Sequence, residues 1–323
     1  MVLNNKEGVG AKTRESIANL LIENGYRINL HEPTVQYKSI RFLKYSRHSY
    51  LVNGNAGFVS AIIDSVEKEA RSLNFDLVMT VFGKNNIREI FDLVRAQPLD
   101  GIILLATEFE KEDICHLRNI PVPIVAIDNY MDLEHVNCVN MNNYEATFCA
   151  VKYLADLGHP RIGYLYNNMP SSNCLARLQA YKAALGAYNL PLDHNLIYPL
   201  HPTMSGSYEM ALELLQNNTT FPSALVATND SIALGAIKAF KECGLRIPED
   251  ISVVGFDDIP YSAINDPPLT TMNVSCQDIG SWAMRLLCDR IQNTNAPFTK
   301  IQVGTTLITR SSTCTYTKNN HVK

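Results

Sequence analysis

Five side chains rich in acceptor oxygens stand directly after short apolar runs in this 323-residue chain: Asp128 after residues 124–127, Asn229 and Asp230 after 224–228, and Asp257 and Asp258 after 253–256. If those runs are parallel strands, their carboxyl ends are where open α/β sheets bind ligands. A carboxylate accepts a pair of vicinal hydroxyls and an arginine fork donates in return, so the matching ligand is a neutral polyol such as a sugar. Each position also has a plainer reading. Asp230 fits the N-cap of a helix over 231–243 better than a ligand contact. Asp258 would hold the loop ahead of Pro260, and Asp128 could bind its own turn through Asn129.

Other chemistries find little support. The eight cysteines (115, 138, 149, 174, 243, 276, 288 and 314) lie at least eleven residues apart, so no Cys-x-x-Cys spacing exists, and buried free thiols in a reducing compartment are expected. There is no P-loop, Gly-x-Gly-x-x-Gly, His-Glu-x-x-His or Gly-x-Ser-x-Gly. A glycosidase pairing Asp128 with Asp257 needs one acid of raised pKa, a demand that carboxylates in a wet cleft do not meet by themselves. The chain is therefore expected to be no enzyme and to use neither cofactor nor metal.

The elements that must carry these residues can be read from periodicity. Residues 40–44, 77–82, 101–105, 124–128, 162–166, 224–228 and 252–256 read as buried strands. Between them, apolar residues recur at helical spacing, first as Val59, Ile62, Ile63, Val66, Ala70 and Leu73, then over about 86–97, 143–157, 174–187, 206–217, 231–243 and 276–292. Asn143, Asp230 and Ser275 stand where N-caps belong, and Gly158 and Gly244 where helices stop. Strand-helix alternation predicts an α/β fold with parallel sheets covered on both faces. About seven such units exceed one compact sheet, so two lobes are expected.

The composition, 46% apolar and 19% charged, suits two ordinary domains. No apolar run approaches the roughly 20 residues of a membrane span, and no apolar segment follows a basic stub at the start as in an export signal. A cytoplasmic protein without a membrane partner is expected. Net charge is −4, yet residues 1–47 carry +4 and the rest −8, which suggests a basic arm near a polyanion. Residues 12–26 read as one amphipathic helix stopped by Gly25. A lone helix of that length is marginal in water, so it reads as the tail of a small helical domain whose beginning is missing.

Five ordered segments carry a resemblance over nearly the whole chain: residues 157–164 (Leu-Gly-His-Pro-Arg-Ile-Gly-Tyr), 177–181 (Arg-Leu-Gln-Ala-Tyr), 228–235 (Thr-Asn-Asp-Ser-Ile-Ala-Leu-Gly), 251–258 (Ile-Ser-Val-Val-Gly-Phe-Asp-Asp) and 267–271 (Pro-Pro-Leu-Thr-Thr). With Thr13-Arg14-Glu15-Ser16-Ile17 and Gly25-Tyr26 near the start, they resemble the lactose-repressor/galactose-repressor transcription regulators. The resemblance implies two doubly wound parallel-sheet lobes of periplasmic-binding-protein type, with a partial helical headpiece at the N-terminus. It implies a headpiece and hinge at 1–38, an N-terminal lobe at 39–140 plus 276–303, and a C-terminal lobe at 141–275 plus 304–323.

The same resemblance implies a small-molecule effector held by Asp128, Arg177, Asn229 and Asp257, with Phe58 and His201 as walls; the dominance of acidic residues favours a sugar over a purine, and Asn55 could donate to a hydroxyl. Asn53 shares that last reading. Arg177 could instead be a solvated helix charge, Phe58 a core residue, and Asn53 and Asn55 turn residues. Asn4, Lys6, Lys12 and Arg14 would contact operator DNA in a complete form of the protein, or else be solvated. A homodimeric repressor, whose effector changes operator affinity, is the function implied; an exported sugar-binding protein of a transporter is the alternative. The chain starts inside the expected recognition helix, and Leu30 to Gln36 match the hinge helix poorly with Pro33 within it. DNA binding is therefore expected to be impaired in the chain as written.

Overall fold

In a computed structural model the structure describes residues 11–24, 38–84, 87–96, 99–117, 120–132, 134–169, 171–217 and 221–317. The chain divides into two units, Met1–Tyr37 and Lys38–Lys323. In the first unit α1 spans Ala11–Glu23. It ends before Gly25, because Asn24 already turns and its Nδ2 donates to the Leu20 carbonyl at 2.7 Å. Lys12 is exposed on α1; Asn4, Lys6 and residues 30–36 lie outside the described residues, as does the side chain of Arg14.

The second unit begins with β1 (Lys38–Ser46), α2 (Tyr50–Gly54), α3 (Ala56–Ser72), β2 (Phe75–Gly83), α4 (Glu89–Ala96), β3 (Gly101–Leu105), β4 (Ile124–Ile127) and β5 (Asn137–Met141). It continues through α5 (Asn143–Asp156), β6 (Ile162–Asn167), α6 (Ser172–Ala187), β7 (Ile197–Leu200), α7 (Met204–Asn217), β8 (Ala224–Ala227), α8 (Asp230–Glu242) and β9 (Ser252–Asp257). Then follow α9 (Pro260–Ile264), β10 (Thr270–Val274), α10 (Cys276–Gln292), β11 (Lys300–Val303) and β12 (Thr305–Ile308).

Two six-stranded sheets result, ordered β11-β5-β4-β3-β1-β2 and β12-β10-β9-β8-β6-β7. All pairings are parallel except β10 with β12, which runs antiparallel. Each sheet centres one lobe. The chain passes between them after β5, after β10, and at Gly304 between β11 and β12.

Strand β3 shows why continuous apolar runs were the signal. Ile103 and Leu105 face one core cluster while Ile102 and Leu104 face another, so both faces of the strand are covered. Strand β2 departs from the expectation of burial, because Val78, Met79 and Val81 are 42, 54 and 55% exposed. It is the edge of its sheet. The cysteines depart as well: all eight are free, but Cys115 and Cys243 are exposed.

Helix starts follow the expected chemistry with a shift of one residue in two cases. The side chains of Asn142, Asn229 and Ser275 accept from the amides of Glu145, Ile232 and Asp278, respectively. Asn143 and Asp230, the expected caps of α5 and α8, are instead the first helical residues, which frees their side chains for tertiary bonds. Gly158 and Gly244 both adopt φ of 86° past their helices, as C-terminal stops do.

Candidate ligand site

Asp128 follows β4 and Asp257 closes β9, and both adopt left-handed φ, 62° and 107°. Such backbone is uncommon outside glycine and costs about 1–3 kcal/mol, a strain that concentrates at functional sites. The two carboxylates line one cavity of about 50 Å³ between the lobes, together with Asn55, Phe58, Thr107, Asn173, Arg177 and Asn229.

Arg177 on α6 is buried at 6% exposure. Its guanidinium lies 3.6 Å above the Phe256 ring. Nε donates to Asn143 Oδ1 at 2.6 Å and Nη1 to the Thr228 carbonyl, which leaves Nη2 3.8 Å from Asp257 Oδ1. Asp128 accepts from Thr107 Oγ1 at 2.5 Å and from Asn173 Nδ2 at 2.7 Å. Asn173 in turn accepts from Asn140 at 2.7 Å and Asn143 at 3.0 Å. Across the cleft, Asn55 Nδ2 donates to Asp257 Oδ2 at 2.6 Å. The result is one chain of polar contacts through Asp128, Asn173, Asn143, Arg177, Asp257 and Asn55 that spans both lobes.

Both acids, Asp128 and Asp257, are buried, at 4 and 5% exposure, rather than standing in open solvent. Burial raises Asp128 to about 6 against the pull of Thr107, Arg177 and Asn173. Burial also raises Asp257 to about 8; Arg177 lowers it, while Asp230 and Asp128 push it further up. Desolvation outweighs a single guanidinium shared among several acids.

The structure brings Asp128, Arg177, Asn229, Asp257, Phe58 and Asn55 around this cavity. Asn129, not Asp128, holds the turn, donating to the Ala106 and Phe109 carbonyls and accepting from the Met131 amide. Phe58 serves both cavity and core. Asn229 both caps α8 and lines the cavity. His201 is a correction: it does not line the cavity, and instead meets Tyr50 edge-on with ring centroids 5.0 Å apart. Asn53 lies on a separate groove.

Asp230 is not the cap of α8 and does not line the cavity. It is buried, accepting from the Ile259 amide at 3.0 Å, Ser262 Oγ at 2.7 Å and Thr271 Oγ1 at 2.6 Å. A Cβ on Gly255 would meet its Oδ1 at 2.0 Å, so glycine is required there. Asp258 pairs with Arg310 at 2.7 Å and accepts from Asn273, tying its loop to β10 and to the segment after β12. Thr107 and Asn173 were missed. Thr107 lies two residues beyond the end of β3, so the strand-end rule that found Asp128 reaches it; Asn173 lies one helical turn before Arg177, on the same face.

Comparison with known proteins agrees with this architecture. Residues 151–313 match the periplasmic binding protein-like domain. The chain is similar to the helix-turn-helix transcriptional repressor CytR of Escherichia coli, 32% identical over 259 residues that cover 79% of this chain and 75% of the relative. It is likewise similar to the helix-turn-helix transcriptional repressor PurR of Pasteurella multocida, 27% identical with coverage of 96% and 92%. A solved LacI family transcriptional regulator from Enterococcus faecium with bound ribose superimposes with a TM-score of 0.74 at 25% identity, covering 87% of this chain and 100% of that one. These relatives are regulators, which favours that reading over an exported binding protein. Among the described residues no helix is long and apolar enough to cross a membrane. The chain belongs to the lactose-repressor family of transcriptional regulators.

Proposed function

We propose that the two lobes, residues 39–140 plus 276–303 and 141–275 plus 304–323, close around a small sugar-like effector, and that its occupancy alters the affinity of the complete protein for operator DNA. The observation that carries this reading is the convergence of Asp128, Arg177, Asn229 and Asp257 on one interlobe cavity in which Asn55 Oδ1 is buried without a partner. A buried acceptor of that kind is matched by a ligand hydroxyl. The bound ribose of the Enterococcus faecium regulator supports a polyol. Ligand pockets usually measure about 300–1,000 Å³, so a cavity of about 50 Å³ belongs to a closed cleft that must open for entry. The raised acids serve as hydrogen-bond partners here and no turnover is assigned to them.

Where operator DNA also distinguishes open from closed lobes, the effector changes DNA affinity, and by linkage DNA changes effector affinity by the same factor. Phosphate contacts are assigned to Lys12, which is exposed on α1, and to Asn4, Lys6 and Arg14. The chain is assigned to homodimers. Each lobe exposes apolar side chains: Val78, Met79 and Val81 on β2, and Tyr261 and Ile264 on α9 beside a groove of about 1060 Å³. Thermal-shift titration with pentoses, hexoses and purines tests the effector class. Stabilisation by a sugar that survives Asp128→Ala and Arg177→Ala would place binding elsewhere.

A further inference from the structure

Four contacts that bridge the lobes are made by α2 and the residue after it. Gly54 accepts from Ser231 Oγ at 2.8 Å, and Asn55 donates to Asp257. Tyr50 meets His201 edge-on. Gly54 itself approaches the opposite lobe so closely that a Cβ would stand 3.1 Å from the Pro202 carbonyl oxygen. A five-residue helix is far too short to be stable alone. Nor does it cap itself, since Ser49 has φ of 65° and makes no side-chain cap bond.

Its anchor comes from elsewhere in the first lobe. Glu108, 4% exposed, accepts four backbone amides: His48 at 2.8 Å and Ser49 at 3.1 Å through Oε2, and Leu51 at 2.9 Å and Val52 at 3.2 Å through Oε1. One carboxylate thereby satisfies two orphan donors of the helix start, Leu51 and Val52, together with the two amides that precede Tyr50, and its charge complements the helix dipole. The neighbouring Thr107 holds Asp128. Two consecutive residues after β3 thus fix the cavity acid on one side and α2 on the other.

We propose that Glu108 is a positioning residue for the cleft: by anchoring α2 to the first lobe it holds Gly54 and Asn55 against the second and so clasps the cleft shut. An effector then exchanges the Asn55–Asp257 bond for bonds to its own hydroxyls; only this last step rests on the effector reading above.

Hydrogen exchange of the full chain without ligand tests the clasp. In Glu108→Ala, amides at 203–207 and 229–233, across the cleft, should exchange on the order of tenfold faster, while those of β1 and β3 are unchanged. Glu108→Gln, which keeps one acceptor oxygen, should restore part of that protection. Ser231→Ala, cut from the other lobe, should loosen residues 50–55. Should Glu108→Ala fail to fold, Glu108→Gln and Ser231→Ala decide the matter. Faster exchange confined to 47–55 in the Glu108 variants would make the carboxylate a local helix cap, and unchanged exchange across the cleft in all variants would overturn the clasp. No sugar is added, so failure of every sugar to bind would sink the effector reading and leave this result intact.

Discussion

The guanidinium carbon of Arg177 lies 3.6 Å from the centre of the Phe256 ring, one residue before the carboxylate it faces. The ring packs against it, Asn143 and Thr228 take two of its donors, and the remaining nitrogen is aimed towards Asp257. The only cation among the cavity-lining side chains named above is thus held rigidly rather than on a free stem.

Lysine cannot reproduce that geometry, since it has neither the planar fork nor the stacking face. Arg177→Lys should weaken binding of a stabilising sugar by roughly tenfold to a hundredfold, the worth of one or two charge-assisted hydrogen bonds. Isothermal titration measures this, and unchanged affinity would remove Arg177 from the site.

Asp257 makes the stability of the protein sensitive to pH. Its carboxyl is raised by burial to about 8, so between an unfolded value near 3.9 and that point the folded chain retains a proton which the unfolded chain has released. Stability must then fall as pH rises through this window. Asp128 and Asp230, each raised by burial to about 6, share the lower part of the range. Between pH 6 and 8 the decline in melting temperature should therefore largely vanish in Asp257→Asn. A slope identical in the variant would contradict the assignment.

Asp230 should behave differently from its neighbours. Removing it strands the Ile259 amide and the Ser262 and Thr271 hydroxyls in the interior, which costs about 3 kcal/mol or more. Asp230→Ala should lower the melting temperature substantially while leaving sugar affinity of the folded fraction unchanged. A loss of affinity without loss of stability would return Asp230 to the binding site.

The exposed apolar residue Ile264, 77% accessible, offers a test of self-association. Introducing charge into an apolar homodimer contact is strongly unfavourable. Sedimentation should show Ile264→Glu shifted towards the 36.1 kDa monomer, with the parent at twice that mass. Identical sedimentation of both would move the interface away from α9.

The pattern of residues determined the alternation of strands and helices, because interior parallel strands such as β3 and β9 are buried on both faces and read as unbroken apolar runs. It also determined the strand-end acids, since that placement follows from chain direction alone. Strands β5 and β10 escaped notice because they bury Asn137, Asn140, Thr270 and Thr271. Those polar groups are tolerated there only through partners distant in sequence: Thr299 for Asn137, Asn173 for Asn140, Arg310 and Thr313 for Thr270 and Asp230 for Thr271. Tertiary packing alone decided that Asn229 caps α8 while Asp230 turns inward, that His201 meets Tyr50 instead of the cavity, and that Glu108 holds α2. Local sequence sets what a side chain can donate or accept; which partner satisfies it depends on segments brought together by folding, and that is where the cleft acquired its closed form.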